Sequence, residues 1–164
     1  VPHVDSREGA GPRHLALHPQ HPWVYVVNEL DSTVTAYHFD GDTGRLTPFQ
    51  LVSTLADSYT GNSRAAEIEV DAAGRVLYAS NRGADSIAVF GIDPVSGRLA
   101  LRQTAPTGGK TPRFFATDPT QRWLWVLNED SDQIRVCPRD ADAGTVGDAV
   151  RTQACGSPVC GVFG

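Results

Sequence analysis

Apolar positions along the chain fall in short runs, rich in β-branched and aromatic residues and broken by Gly, Asp, Asn and Pro. Runs of that kind read as β-strands. No stretch sustains an apolar period of 3.6 residues, so helices are expected to be nearly absent.

The strand pattern repeats. Pro12-Arg13-His14-Leu15-Ala16-Leu17-His18-Pro19, Ala65-Ala66-Glu67-Ile68-Glu69-Val70-Asp71-Ala72 and Pro112-Arg113-Phe114-Phe115-Ala116-Thr117-Asp118-Pro119 occupy matching places. Each leads through a polar turn into an apolar run ending at Asn28, Asn81 or Asn128. A third run and a Gly-centred turn follow: Asp40-Gly41-Asp42-Thr43-Gly44-Arg45-Leu46, then Asp93-Pro94-Val95-Ser96-Gly97-Arg98-Leu99, then the weaker Asp140-Ala141-Asp142-Ala143-Gly144-Thr145-Val146. The three asparagines are spaced by 53 and 47 positions, and Gly44, Gly97 and Gly144 by the same intervals. The surplus of the first unit falls in residues 51–63, which reads as an extended loop.

Four strands in a unit of about 50 residues is the period of a β-propeller blade. The expected fold is therefore all-β: a partial propeller of three four-stranded blades, at about residues 11–56, 64–105 and 111–153, in one domain spanning 1–164. In the first blade the strands are expected at 13–18, Trp23–Asn28, 33–39 and 49–55. The segment Ser157-Pro158-Val159-Cys160-Gly161-Val162-Phe163 is expected to be one more inner strand. Three blades leave two apolar faces and strand edges uncovered. Either N-terminal blades outside this chain or copies of the chain are expected to cover them, with a fragment favoured.

Blade geometry places functional candidates. Inner strands of an up-and-down propeller run the same way along the channel, so matching positions sit at similar heights. His14, Glu67 and Phe114 match, and their parity partners (Ala16/His18, Glu69/Asp71, Ala116/Asp118) are largely polar. The other parity, Leu15/Leu17, Ile68/Val70 and Phe115/Thr117, is expected to pack between blades. The starts of the inner strands and the loops joining second to third strands share one face. That face collects Arg13, His14, Asn28, Glu29, Arg64, Glu67, Asn81, Arg82, Arg113, Asn128 and Glu129. A base, a carboxylate and several guanidinium groups there suit an anionic substrate with a polarised carbonyl. Plainer roles compete: the asparagines as turn caps, and Arg13 and Arg113 as ion-pair partners of Glu29 or Glu129. Arg82 stands where the other blades have Glu29 and Glu129, a charge reversal that favours function. His3, His18, His21 and His38 read as surface or turn residues, and Trp23, Trp123 and Trp125 as core.

Composition narrows the field. Fourteen basic against nineteen acidic residues give a net charge of −5, which argues against nucleic-acid or acidic-membrane partners. No apolar run reaches the roughly 20 residues of a membrane span, and Val1 to Ala10 show no signal-peptide pattern. The chain contains no Met, which suggests processing or truncation. Cys137, Cys155 and Cys160 lack zinc-site spacing and are expected to be reduced thiols of a cytoplasmic protein. No metal or cofactor is expected.

These residues resemble the lactonase family of seven-bladed propellers, the family of bacterial 6-phosphogluconolactonase. The resemblance is carried by Gly11-Pro12-Arg13-His14, Ala65-Ala66-Glu67-Ile68, Leu77-Tyr78-Ala79-Ser80-Asn81-Arg82-Gly83-Ala84-Asp85-Ser86-Ile87-Ala88-Val89-Phe90, Asp93-Pro94-Val95-Ser96-Gly97-Arg98-Leu99, Thr111-Pro112-Arg113-Phe114-Phe115 and Ser157-Pro158-Val159-Cys160. It covers almost the whole chain and would make it the C-terminal part of a longer protein. It implies a hydrolase that opens a phosphorylated sugar lactone, with His14, Glu67 and Arg82 as catalytic residues. Arg113, with Arg64 and Asn81 on the same face, would bind substrate. Either His14 or Glu67 would activate water. The resemblance also leaves room for a cycloisomerase of the muconate-lactonising kind, and a non-catalytic protein-binding propeller uses the same scaffold.

Overall fold

The structure is a computed structural model and describes residues 3–140 and 142–164. Val1 and Pro2, at the start read for a signal peptide, and Ala141, in the third Gly-centred turn, lie outside the described residues.

Three antiparallel four-stranded units follow one another. The first comprises β1 (Pro12–Leu17), β2 (Trp23–Asn28), β3 (Thr33–Asp40) and β4 (Arg45–Ser53). The second comprises β5 (Arg64–Val70), β6 (Val76–Arg82), β7 (Ser86–Ile92) and β8 (Leu99–Pro106). The third has β9 (Pro112–Thr117), β10 (Trp123–Asn128) and β11 (Gln133–Asp140), with its outer edge split into β12 (Thr145–Val146) and β13 (Arg151–Ala154). A 3-10 turn at Glu129–Ser131 is the one helical element among the described residues, and no helix there is long and apolar enough to cross a membrane. Strand β4 starts at Arg45 rather than near 49, because Asp40 to Gly44 closes a tight hairpin: Gly44 N–H reaches Asp40 O at 2.8 Å.

The middle blade carries the core. Strand side chains alternate between faces, and on β6 Leu77 and Ala79 pack toward the first blade while Val76 and Tyr78 pack toward the third. Every residue of β7 is buried, which is why its sequence after Ser86 is a continuous apolar run rather than alternating. Burying both faces of one sheet supplies roughly 25 cal/mol for each Å² of apolar surface removed from water. Tyr25 and Tyr78 hold matching places, are fully buried and face the following blade. Tyr25 donates to Gly97 O at 2.9 Å, and Trp23 packs so closely over the same hairpin that a Cβ on Gly97, at φ +70°, would fall 2.5 Å from its ring.

Polar clasps repeat at each junction. Thr54 and Thr107 both donate N–H and hydroxyl back into their own blade, to Ser32 O and Asp85 O. Each then meets the buried asparagine of the next blade: Asn81 donates to Thr54 O at 2.9 Å and Asn128 to Thr107 O at 3.4 Å. Deeper between the second and third blades, Arg139 and Asp71 form an ion pair at 2.7 Å with both side chains about 1% exposed. Arg139 also donates to Tyr78 Oη at 2.6 Å and Gln121 O at 2.7 Å. Asp71, Asp118 and His18 are equivalents, each accepting backbone N–H groups in the turn after its inner strand.

The outer faces depart from expectation. Leu15 and Leu17, expected between blades, are 57% and 63% exposed, since no described strand lies against that side of β1. Trp123 and Trp125, expected as core, are only half-buried on the far side of the third blade. Trp125 matches Tyr25 and Tyr78 but has no following blade to enter, and Phe163 packs edge-on against it at 5.7 Å. Residues 157–163, expected as an inner strand, form none: a strand needs a partner edge, and no described strand follows to provide one. Ser157 is nevertheless held as Thr111 is, its N–H reaching Asp132 Oδ1 at 2.8 Å as Thr111 N–H reaches Asp85 Oδ1.

Two stability predictions follow from these contacts. Arg139→Ala leaves the Asp71 carboxylate buried without its partner, and urea unfolding should show a loss of about 3–5 kcal/mol. His18 Nε2 donates to Gly74 O while Nδ1 accepts from Gln20 and His21 N–H, so the ring is neutral, and burial lowers its pKa. The unfolded chain therefore takes up this proton first. The contribution is complete above the ordinary histidine value and is lost as the pH falls through it. The urea midpoint should drop between about pH 7 and pH 5, and His18→Asn should flatten that slope.

Candidate functional site

Each inner strand opens with an irregularity at the same place. Pairing with the second strand slips by one residue between Pro12 and His14, between Ala65 and Ile68, and opposite Leu127 and Asn128. A bulge inserts one extra residue and re-aims the side chains beside it. His14, Glu67 and Phe114 sit at or beside these three bulges, at one end of the channel.

The first two blades bring their polar side chains into contact. His14 Nδ1 donates to Glu67 Oε1 at 2.9 Å. Glu67 is fixed from behind: its own N–H reaches Ser80 Oγ at 3.0 Å, and Oε1 also accepts Ile68 N–H at 3.0 Å. Arg13 Nη1 donates to Ala66 O at 2.6 Å across the blade junction and lies 3.1 Å from His14 Nδ1. These residues, with Leu15 and Val26, line an open cleft of about 610 Å³. Beneath Glu67 on the same face of β5, Glu69 accepts from the Thr117 N–H at 3.0 Å and from the Thr117 hydroxyl, and burial raises its pKa.

Guanidinium groups gather on the rim. Glu29 Oε1 lies 2.7 Å from Arg82 Nη2 and 3.9 Å from Arg64 Nη1, and Glu29 Oε2 lies 3.6 Å from Arg13 Nε. The hydrogen bond from Arg82 holds the Glu29 carboxyl below its ordinary pKa. Burial lowers the pKa of Arg13, and the nearby Arg82 and Arg113 lower it further. Arg113 pairs with Glu129 at 3.7 Å on the neighbouring blade. Four guanidinium groups thus face three carboxylates, a local positive excess on a chain of net charge −5.

Of the six residues expected at the site, the structure gathers His14, Glu67, Arg64 and Arg82 at the first blade junction and sets Arg113 beside them. Asn81, expected to bind substrate, lies in the core and away from the cleft. It is fully buried, donates to Thr54 O and Ser86 Oγ, and its Oδ1, 2.6 Å from Thr54 Oγ1, shares the single Thr54 hydroxyl hydrogen with Ser32 O. Asn28 spends its amide on Thr33 and Thr35 within its own blade. Arg13 and Glu29 were foreseen only on the shared face and as an ion pair. Their central place shows in the repeat, where Pro12-Arg13 matches Pro112-Arg113. Among the described residues no group of three His, Cys, Asp or Glu side chains is arranged to hold a metal ion.

The family model "Lactonase, 7-bladed beta-propeller" matches residues 1–163. A 6-phosphogluconolactonase of Bacillus subtilis is 39% identical over 155 residues, covering 94% of this chain and 44% of the relative. The structure of a periplasmic gluconolactonase of Pseudomonas aeruginosa superposes with a TM-score of 0.89 at 35% identity, over 94% of this chain and 43% of that one. A Lactobacillus plantarum protein superposes with a TM-score of 0.91 at 32% identity, over 96% and 46%. The chain therefore spans less than half the length of these relatives.

Burial separates scaffold from site here. Asn81→Ala strands the Thr54 carbonyl in the core, while the Thr54 hydroxyl keeps its bond to Ser32 O, and should cost about 1–3 kcal/mol in urea unfolding. Arg113→Ala, at a partly exposed position, should cost under about 1 kcal/mol in the same experiment.

Proposed function

We propose that this chain, which belongs to the lactonase family of seven-bladed β-propellers, carries the catalytic end of a sugar-lactone hydrolase. The substrate is a phosphorylated sugar lactone. The observation that carries the reading is the His14–Glu67 contact at 2.9 Å beside an open cleft. A carboxylate only accepts, so His14 Nδ1 bears the proton in that contact; Arg13 Nη1 gives one hydrogen to Ala66 O, and its second faces His14 Nε2 at 3.4 Å, where the attacking water takes its place. His14 Nε2 is then the acceptor, and Glu67 orients the ring and balances its charge, as the carboxylate of a histidine–carboxylate pair does.

The chemistry follows. A water in the cleft gives a proton to His14 Nε2 as its oxygen bonds to the lactone carbonyl carbon. Negative charge on the former carbonyl oxygen is met by Arg113, and Arg82 is left to the phosphate. Collapse of the tetrahedral intermediate breaks the ring C–O bond, and the His14 proton passes to the departing ring oxygen. The product is an open-chain hydroxy acid, which ionises in solution. Arg64 assists in holding the phosphate, and Asn81 is left out because its amide is consumed in the core. This division of labour makes His14 the base, with Glu67 in support. The names of similar proteins, 6-phosphogluconolactonase and gluconolactonase, support the reaction class. The free thiols Cys137, Cys155 and Cys160 suit a reducing cytoplasm.

The test is hydrolysis of 6-phosphogluconolactone by the protein carrying this chain, with spontaneous opening subtracted. His14→Ala should lower kcat by about 10²-fold or more, the usual worth of a general base. Glu67→Gln should lower kcat less and alter the pH profile. Full activity in His14→Ala would refute the assignment of the base.

A further inference from the structure

We propose that Arg64 and Arg82 form an anion subsite on the rim of the cleft, and that Arg64 sets the preference for a phosphorylated over an unphosphorylated sugar lactone. The proposal rests on the lactonase reading above and adds the residue that senses substrate charge.

Its basis is a break in the repeat. Arg64 and Arg82 are direct partners across the β5–β6 ladder. The matching pairs in the other blades are Gly11 with Glu29 and Thr111 with Glu129, each joined by a backbone hydrogen bond at 2.8 or 2.9 Å. Two blades therefore present a small residue and a carboxylate where the middle blade presents two guanidinium groups. The backbone changes as well. Gly11, Thr111 and Ser157 have positive φ and precede Pro12, Pro112 and Pro158, whereas Arg64 continues a strand into Ala65. Like charges directly opposite on adjacent strands are destabilising, so the pair is unfavourable for the fold by itself.

The surroundings offset only part of that repulsion. Glu29 is the one carboxylate between them, close to Arg82 at 2.7 Å and distant from Arg64 at 3.9 Å. Arg82 Nη2 is also committed to Ala65 O, yet its Nε is buried without a partner. Arg64, with 65% of its side chain exposed, stands at the end of the crossover that makes the first repeat interval six residues longer than the second. The crossover is seated against Gly83, where the Asn62 carbonyl lies 2.5 Å from the place a Cβ would take and φ is +95°. Ser63 Oγ donates to Arg82 O at 3.1 Å. The extra residues thus bring an exposed cation next to a largely buried one. A phosphate monoester carries about −1.5 to −2 charges at neutral pH and several acceptor oxygens, and it satisfies both forks. A neutral lactone has no group for Arg64 to hold.

The test compares kcat/KM for 6-phosphogluconolactone and gluconolactone in the wild-type protein, Arg64→Gln and Arg64→Lys. The ratio of the two values should fall by about tenfold or more in Arg64→Gln, through KM, the usual worth of a charge-assisted hydrogen bond. Arg64→Lys should recover part of it. The unfolding midpoint of Arg64→Gln should be no lower than wild type, because a like-charge contact is removed. An unchanged ratio in Arg64→Gln overturns the proposal. If the wild-type protein opens neither lactone, the lactonase reading fails and inorganic phosphate binding, followed by calorimetry, decides the subsite. Weakening by about tenfold in Arg64→Gln upholds it, and equal binding overturns it.

Discussion

A four-stranded blade has two broad faces, and this sequence makes both of them apolar, so no blade can shield itself from water. The middle blade meets the requirement by lying between two others, with Leu77, Ala79, Ala88 and Phe90 on one side and Val76, Tyr78, Ile87 and Val89 on the other. Stacking of this kind is nearly one-dimensional, each unit depending on its neighbours alone. Its direct consequence is that the outer faces of the first and third blades stay open, with Leu15, Leu17 and Trp125 partly or largely exposed. The relatives are more than twice as long, and the family's architecture has seven blades, the arrangement in which such faces have neighbours.

Apolar faces only bring blades together; polar clasps fix how they sit. Thr54 with Asn81, and Thr107 with Asn128, tie the end of one blade to the second strand of the next. These bonds lie at the same end of the channel as the bulges that turn His14 and Glu67 toward one another. A histidine on one blade and a carboxylate on the next reach hydrogen-bonding distance only if the junction is held rigidly. The buried asparagines, which touch nothing in the cleft, therefore act on its geometry through the backbone.

Much of this was legible in the sequence because a repeat turns one-dimensional spacing into three-dimensional equivalence. The matching places of His14 and Glu67 were enough to bring those two side chains together, with no local motif. The same reasoning failed where a residue's fate depended on what lies beside it. Parity placed Leu15 and Leu17 between blades, correctly for their face but without a blade to receive them. Asn81 carried the right polarity for a substrate contact, and only its complete burial and its bonds to Thr54 remove it from the cleft. Residues 157–163 have strand composition but no partner edge. Propensity cannot supply one, since a strand is defined by its ladder rather than by its side chains.

Departures from the repeat sort into two kinds, and the distinction bears on function. At position 18 a histidine replaces the aspartate of the other blades yet does the same job, accepting backbone N–H groups in a turn. That substitution preserves an interaction and needs only a structural explanation. Arg64 and Arg82 preserve nothing: they replace a small residue and a carboxylate with two facing cations, and a single glutamate from the neighbouring blade stands between them. Where local choices oppose the fold, the opposing pressure is usually the site itself. That these two arginines border the His14–Glu67 contact, rather than any other part of the blade, ties the one unfavourable pairing in the repeat to the one place where a ligand's charge could relieve it.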